Sequence, residues 1–299
     1  MISDIKLTIP TNILPATSIE HVGRTYQAYP GAEYVLPSDE TERGRLALQH
    51  QLLKRAFDDK IVMFPFDLKD GRYILDIGTG SGVWLLEAAK EASASAILHG
   101  VDIEDRLFPC DVPHNVHFSI NTATSLPQEW SGRFDVVHQR LLRAALKEVE
   151  WKSNIQEIFR VLKPGGWVQL AEPGSWTAGP ETARLQGLVK SLLLSRGFPL
   201  DLEELLPELL AGAGLTNITV EKRGLSAGTW AGESGCEVRD NFIGVYRGMK
   251  TPMLKAGCFG VLNSEEELDD LYDSVVKEWD GTEGCEMAFL TLCAQKPMP

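Results

Sequence analysis

The chain has 299 residues, 43% of them hydrophobic and 24% charged, with 42 acidic against 29 basic side chains and a formal charge of −13. These are globular values, sufficient for a sizeable core. The scattered Lys and Arg argue against a nucleic-acid partner, and no apolar run approaches the roughly 20 residues of a membrane span.

Five cysteines, an odd number with no C-x-x-C pair, fit neither a disulfide framework nor a zinc knuckle and read as ordinary thiols. The opening "MISDIKLTIPTNILP" places Asp4 and Lys6 where a secretory signal needs a continuous apolar stretch. A cytoplasmic protein is the expectation.

Residues 1–37 are irregular and rich in Pro and Tyr. A helix then begins near "SDETERGRLALQH", where Asp39 and Glu42 form a capping-box pattern and Leu46, Leu53 and Phe57 share a face. Strands are predicted at 72–77, 96–102, 116–120, 134–138 and 167–171. A helix over "WKSNIQEIFRVL" places Ile155, Ile158, Phe159 and Leu162 together and stops at Pro164, Gly165 and Gly166. This alternation predicts an α/β fold with a doubly wound parallel sheet.

Two helical insertions, near 181–210 and 228–284, interrupt the rhythm as a cap. In the second, Ser264 and Glu267 form another capping box ahead of a stripe made by Leu268, Leu271, Tyr272, Val275, Val276 and Trp279. "LTNITVEKR" and "MAFLTLCAQ" read as the last strands, the latter pairing with the former to add an antiparallel edge to the sheet. Residues 1–60 are expected to form an N-terminal lid segment with its helix, and 61–299 the main domain.

"YILDIGTGSGVW" puts Gly78, Gly80 and Gly82 at a strand-to-helix turn, where glycine admits close ligand approach and helix N–H groups are unpaired. A phosphate loop needs a Lys directly after its last glycine, and none occurs before Lys90. A dinucleotide turn needs a third glycine at the sixth position, which is Val83 here.

The spacing within "LDIGTGSG" resembles motif I of the class I S-adenosylmethionine-dependent methyltransferases, a Rossmann-like seven-stranded fold. "GVDI", "NTATSLP", "FDVVH" and "LKPGGWVQLAEP" follow in the family's order, and the likeness covers roughly residues 35–225. "YVLPSDETERGRLALQH", "FDVVHQR" and "GGWVQLAEP" further resemble the fungal, LaeA-like methyltransferases of secondary metabolism, a group holding biosynthetic enzymes and a global regulator.

The resemblance implies S-adenosylmethionine as cofactor, held by Asp76, Gly78, Thr79, Gly80, Gly82, Asp102, Ile103, Asn121, Thr122 and Ala123. Tyr34 and His138 are further cofactor contacts. Asp102, 24 residues after Gly78, is expected to accept the ribose hydroxyls. Thr122 stands where many members have an acidic residue, with Asn121 as an alternative carbonyl for the adenine.

His138 is the candidate general base, and Glu172 either orients it or a cationic amine, or bonds backbone in the "EPG" turn; both are placed at strand ends. Asp76 either fixes the glycine turn or reaches the cofactor's amino group. Tyr26 and Trp176 are candidate acceptor contacts, and both Tyr26 and Tyr34 could instead simply anchor the N-terminal segment. His114 and His117 lack a third metal ligand, so no metal is expected.

"HQRL" in place of "DPPY" or "NPPY" argues against adenine or glutamine N-methylation. The expected activity is O- or N-methylation of a small natural product. A regulator acting through protein partners, and a pericyclic or cyclising protein that keeps the cofactor, are the alternatives. A homodimer is left open.

Overall fold

A computed structural model describes residues 19–21, 23–26 and 34–299. In chain order, the hairpin β1 (Ile19–His21) and β2 (Arg24–Tyr26) leads into α1 (Glu40–Ala56), β3 (Tyr73–Ile77) and α2 (Val83–Glu91). Then come β4 (Ile97–Asp102), β5 (Val116–Ile120), β6 (Phe134–Arg140), α3 (Glu148–Val161) and β7 (Leu162–Thr177). The C-terminal third contains α4 (Pro180–Ser195), α5 (Leu202–Gly212), β8 (Thr216–Ser226), α6 (Gly232–Gly248), α7 (Lys250–Lys255), α8 (Glu265–Gly281) and β9 (Glu286–Gln295).

Seven strands form one sheet in the order β5-β4-β3-β6-β7-β9-β8, with β3 to β7 mutually parallel. The Rossmann-like α/β expectation holds. The last strand pairs antiparallel with the preceding one as expected, but it is β8 that forms the edge, and β9 lies between β7 and β8. Its sequence explains why, since eight consecutive residues of "EMAFLTLCAQ" are buried, as a strand covered on both faces requires. The charged "VEKR" of β8 suits the solvated edge.

Helices cover both faces. Below the sheet, Ile155 and Ile158 of α3 join Leu202, Leu206 and Leu210 of α5 against Val137, Val168 and Leu292. The predicted 181–210 insertion therefore divides: α5 packs on the sheet like an ordinary crossover helix, and only α4 belongs to the cap. There Leu185, Leu188 and Leu192 of α4 meet Phe242 and Tyr246 of α6 and Leu271, Tyr272 and Trp279 of α8. Glu278 locks two cap helices together by accepting hydrogen bonds from Glu181 N and Thr182 N at 2.8 and 2.9 Å, satisfying free N–H groups at the start of α4.

β7 runs well past the predicted 167–171 because it pairs with β9 as far as Thr177 and Glu286. This antiparallel extension carries Trp176 into the cap. There Trp176 stacks on Trp279 at 4.3 Å and its indole N–H donates to Tyr246 Oη at 2.7 Å. At the other end of the chain Asp39 caps α1 by accepting from Glu42 N, and Arg24 pairs with the same carboxylate at 2.6 Å. The reciprocal half of the predicted capping box is replaced, since Glu42 binds Arg45 instead.

Candidate cofactor and acceptor site

β3 ends in a turn that only glycine adopts without strain, with φ of +66°, +52° and +71° at Gly78, Gly80 and Gly82. The three serve different ends. A Cβ on Gly78 would lie 2.7 Å from Leu142, and one on Gly82 would lie 2.6 Å from Phe118, so both turn their backs to packed side chains. A Cβ on Gly80 would meet only Leu46, at 3.5 Å, because that residue faces a cavity.

The neighbouring strand fixes the turn from the side. Asp102, the last residue of β4, accepts from Gly80 N and Ile103 N, each at 2.8 Å. Burial pushes its carboxyl up to about 6, while the backbone donors pull the other way.

The cavity, of about 350 Å³, lies across the carboxyl ends of the parallel strands, where open α/β sheets hold ligands. Tyr34, Gly78, Thr79, Gly80, Asp102, Ile103, Asn121, Thr122 and Ala123 all line it. The donor set fits S-adenosylmethionine. Asp102 offers carboxylate oxygens for a diol, and Ser38 Oγ and Ser81 Oγ in the same wall are buried with no partner among the described residues. Asn121 spends its amide N–H on Ser119 Oγ at 2.9 Å, leaving its carbonyl as the acceptor for an adenine amino group. Thr122 bonds within its own turn, to Thr124 Oγ1.

Several predicted residues lie elsewhere. His138 is 1% exposed and absent from this cavity; it stacks on Trp84 at 3.7 Å while its Nδ1 lies 2.7 Å from Asp76 Oδ1. The strand continues two residues beyond His138, so His138 lies beneath the sheet rim, and the expected cofactor contact and base role do not match its position. Burial lowers its pKa, opposed by Asp76. Asp76 is likewise sealed, its second oxygen accepting from Thr79 Oγ1 at 2.6 Å. It fixes the turn and does not line the cavity. Gly82 caps α2 outside the cavity wall.

Glu172 neither touches His138 nor lines a cavity. Wholly buried, it accepts from Leu142 N at 2.8 Å and Arg143 N at 3.2 Å, tying down a loop in which Leu141 has φ of +62°. Burial drives its carboxyl up to about 8 against those donors. Tyr26 is an anchor and not an acceptor contact, with its hydroxyl donating to Gly248 O at 2.9 Å in the cap.

Trp176 does meet a cavity. A second space of about 110 Å³ lies under the cap, walled by Trp176, Phe242, Val245, Leu193 and Met287 with Arg45, Gln49, Arg143, Gln186 and Lys190 among its polar members. Tyr34, Leu46 and Leu141 line both spaces, so the two adjoin there. Sequence reasoning missed Glu42, Leu46, Arg140, Leu141 and Leu142 in the first wall. The run "HQRLL" carried the available signal, for an Arg at the end of a parallel strand stands at the ligand-binding rim.

Among the described residues no helix is long and apolar enough to cross a membrane. Residues 48–220 match the family described as a methyltransferase domain. The chain is 38% identical over 210 residues to the N-methyltransferase sirN of Leptosphaeria maculans, covering 70% of this chain and 68% of that one. It is similar to the methyltransferase pytC of Aspergillus terreus, 29% identical over 237 residues and 74% and 71% of the two chains. It also resembles the N-methyltransferase gliN of Aspergillus fumigatus, 34% identical over 171 residues, 54% of this chain and 60% of that one.

Proposed function

This chain belongs to the methyltransferase domain family, and we propose that it moves a methyl group from S-adenosylmethionine to a nitrogen, or failing that an oxygen, of a small and largely apolar natural product. One observation carries the acceptor class: the cavity that fits the cofactor adjoins a smaller, aromatic-walled one under the cap. Similarity to two proteins named as N-methyltransferases favours nitrogen.

When bound, the cofactor supplies a methyl already activated by its sulfonium, so the protein's work is mainly placement. Tyr34, Leu46 and Leu141, shared by both cavities, form the passage at which acceptor and methyl donor would meet. Glu172 holds Leu141 and its neighbours in place through the backbone of 142 and 143. Tyr34 is the titratable group common to both walls, and burial raises its pKa, so near neutrality it is a hydrogen-bond donor and not a base. In this reading the acceptor's proton leaves without a side-chain base at the passage, and His138, held by Asp76, does not take it.

The test is incubation of the purified protein with S-adenosylmethionine and a metabolite extract of its producing organism. The expected result is a compound heavier by one methylene, appearing in step with S-adenosylhomocysteine. Cofactor binding with no methylated product from any fraction would refute methyl transfer and leave a protein that uses the same fold otherwise.

A further inference from the structure

Arg140 ends β6 at the sheet rim and lines the cofactor cavity. It is also the residue that this cavity shares with a chamber of about 40 Å³ beneath, walled by His50, Trp84, His138 and Gln169 among others. Partly buried, it has no hydrogen bond and no ion pair among the described residues. Its anionic neighbour, Asp76, has both oxygens occupied by His138 and Thr79. A partly desolvated guanidinium with no protein partner, facing a cavity, is favourably met by an arriving anion.

We propose that Arg140 is the residue that binds the carboxylate of the cofactor's amino-acid tail, an assignment that rests on S-adenosylmethionine being the occupant of the larger cavity. Strand order gives the alignment. Asp102 ends β4, the glycine turn follows β3, and Arg140 directly follows the register pair Ile77–Gln139 on β6. Adjacent strands lie about 4.8 Å apart, so Asp102 and Arg140 are separated across the sheet by roughly 10 Å. With the ribose on Asp102, the thioether chain crosses the glycine turn and its carboxylate arrives over β6.

The same carboxylate chemistry could belong to the acceptor, but the placement favours the cofactor. Arg140 does not line the cap cavity, whose own cations are Arg45, Arg143 and Lys190. An acid group on the acceptor would meet those first. A guanidinium suits the task because its fork presents parallel donors to two carboxylate oxygens.

Calorimetric titration separates the possibilities with three ligands: S-adenosylhomocysteine, its decarboxylated analogue 5′-(3-aminopropyl)thioadenosine, and 5′-methylthioadenosine, which lacks the whole amino-acid tail. On the unaltered protein, losing the carboxylate should weaken binding on the order of tenfold to a hundredfold. R140Q should weaken S-adenosylhomocysteine by a similar factor and leave the two carboxylate-free ligands within about twofold, with R140K recovering part of the loss. Equal weakening of all three ligands by R140Q would reduce Arg140 to a structural part and overturn the assignment. So would full S-adenosylhomocysteine affinity in R140Q, which would return the guanidinium to an acid group on the acceptor. Should R140Q not fold, the unaltered protein still decides, since equal affinity for S-adenosylhomocysteine and its decarboxylated analogue removes the carboxylate site. If none of the three ligands binds the unaltered protein, the cofactor reading itself fails, an outcome distinct from the others.

Discussion

The two adjoining cavities are built by different means. The larger one is walled by main chain at two left-handed glycines, Gly78 and Gly80, with Asp102 fastened to backbone N–H groups beside them. The smaller one is walled by side chains from distant elements, Trp176 on β7, Phe242 on α6 and Met287 on β9, which only the packing of the cap brings together. A backbone-built wall tolerates little change and suits a ligand shared by many reactions. A side-chain wall can be repacked, and under the proposed function acceptor choice resides there.

Gly80→Val attacks the first wall and should have the largest effect. It imposes a β-branched residue at φ of +52° and projects methyl groups into the cavity, so S-adenosylhomocysteine affinity should fall more than about a hundredfold in a protein that still unfolds cooperatively. Calorimetry alongside thermal unfolding checks both halves. Unchanged affinity would place the cofactor somewhere else.

Trp176→Ala attacks the second wall. It removes the stack on Trp279 and the bond to Tyr246, so stability should drop by about 3 kcal/mol and the acceptor KM should rise on the order of tenfold. Cofactor affinity should stay within about twofold. A matching loss of cofactor affinity would show that the two walls are not separable.

Glu172 joins the walls, and its effect is read through pH. Its folded-state carboxyl lies near 8, above its unfolded value, so its contribution to stability is complete below pH ~4.5 and is lost as pH rises through 8. Between pH 6.5 and 8 Asp102, near 6, is largely ionised, and Glu172 should account for a falling slope of up to about 1.4 kcal/mol per pH unit. Denaturant titrations across that window should show the slope in the unaltered protein and a flatter line in Glu172→Gln. Identical slopes would mean that Glu172 is ionised throughout.

The smallest effect on turnover belongs to His138→Ala. Loss of a buried partner for Asp76 should cost about 3 kcal/mol of stability, while the single-turnover rate of the folded fraction stays within about threefold. A hundredfold slower rate at unchanged cofactor affinity would restore the base role that its placement argues against.

The glycine spacing, Asp102 at a strand end and the strand-helix alternation were legible in the sequence because each is a local requirement: a backbone angle, a hydrogen-bonding reach, a periodicity. The same local reading placed His138 at the rim, since "FDVVH" carries no mark of where β6 stops. Two further residues, at about 3.3 Å each, lift Arg140 to the cavity and leave His138 in the core. The exchange of edge positions between β8 and β9 was legible in principle, from the unbroken apolar run of one and the charges of the other.

What only the tertiary structure decided concerns partners far apart in the chain. Tyr26 could be an anchor or a substrate contact until Gly248 O, 222 residues away, was found beside its hydroxyl. Glu172 could serve a histidine or a backbone until the 141–143 loop folded onto it. Sequence specifies which residues can bond. A buried polar group must take whichever partner the packing delivers, and that choice exists only once the chain has closed around it.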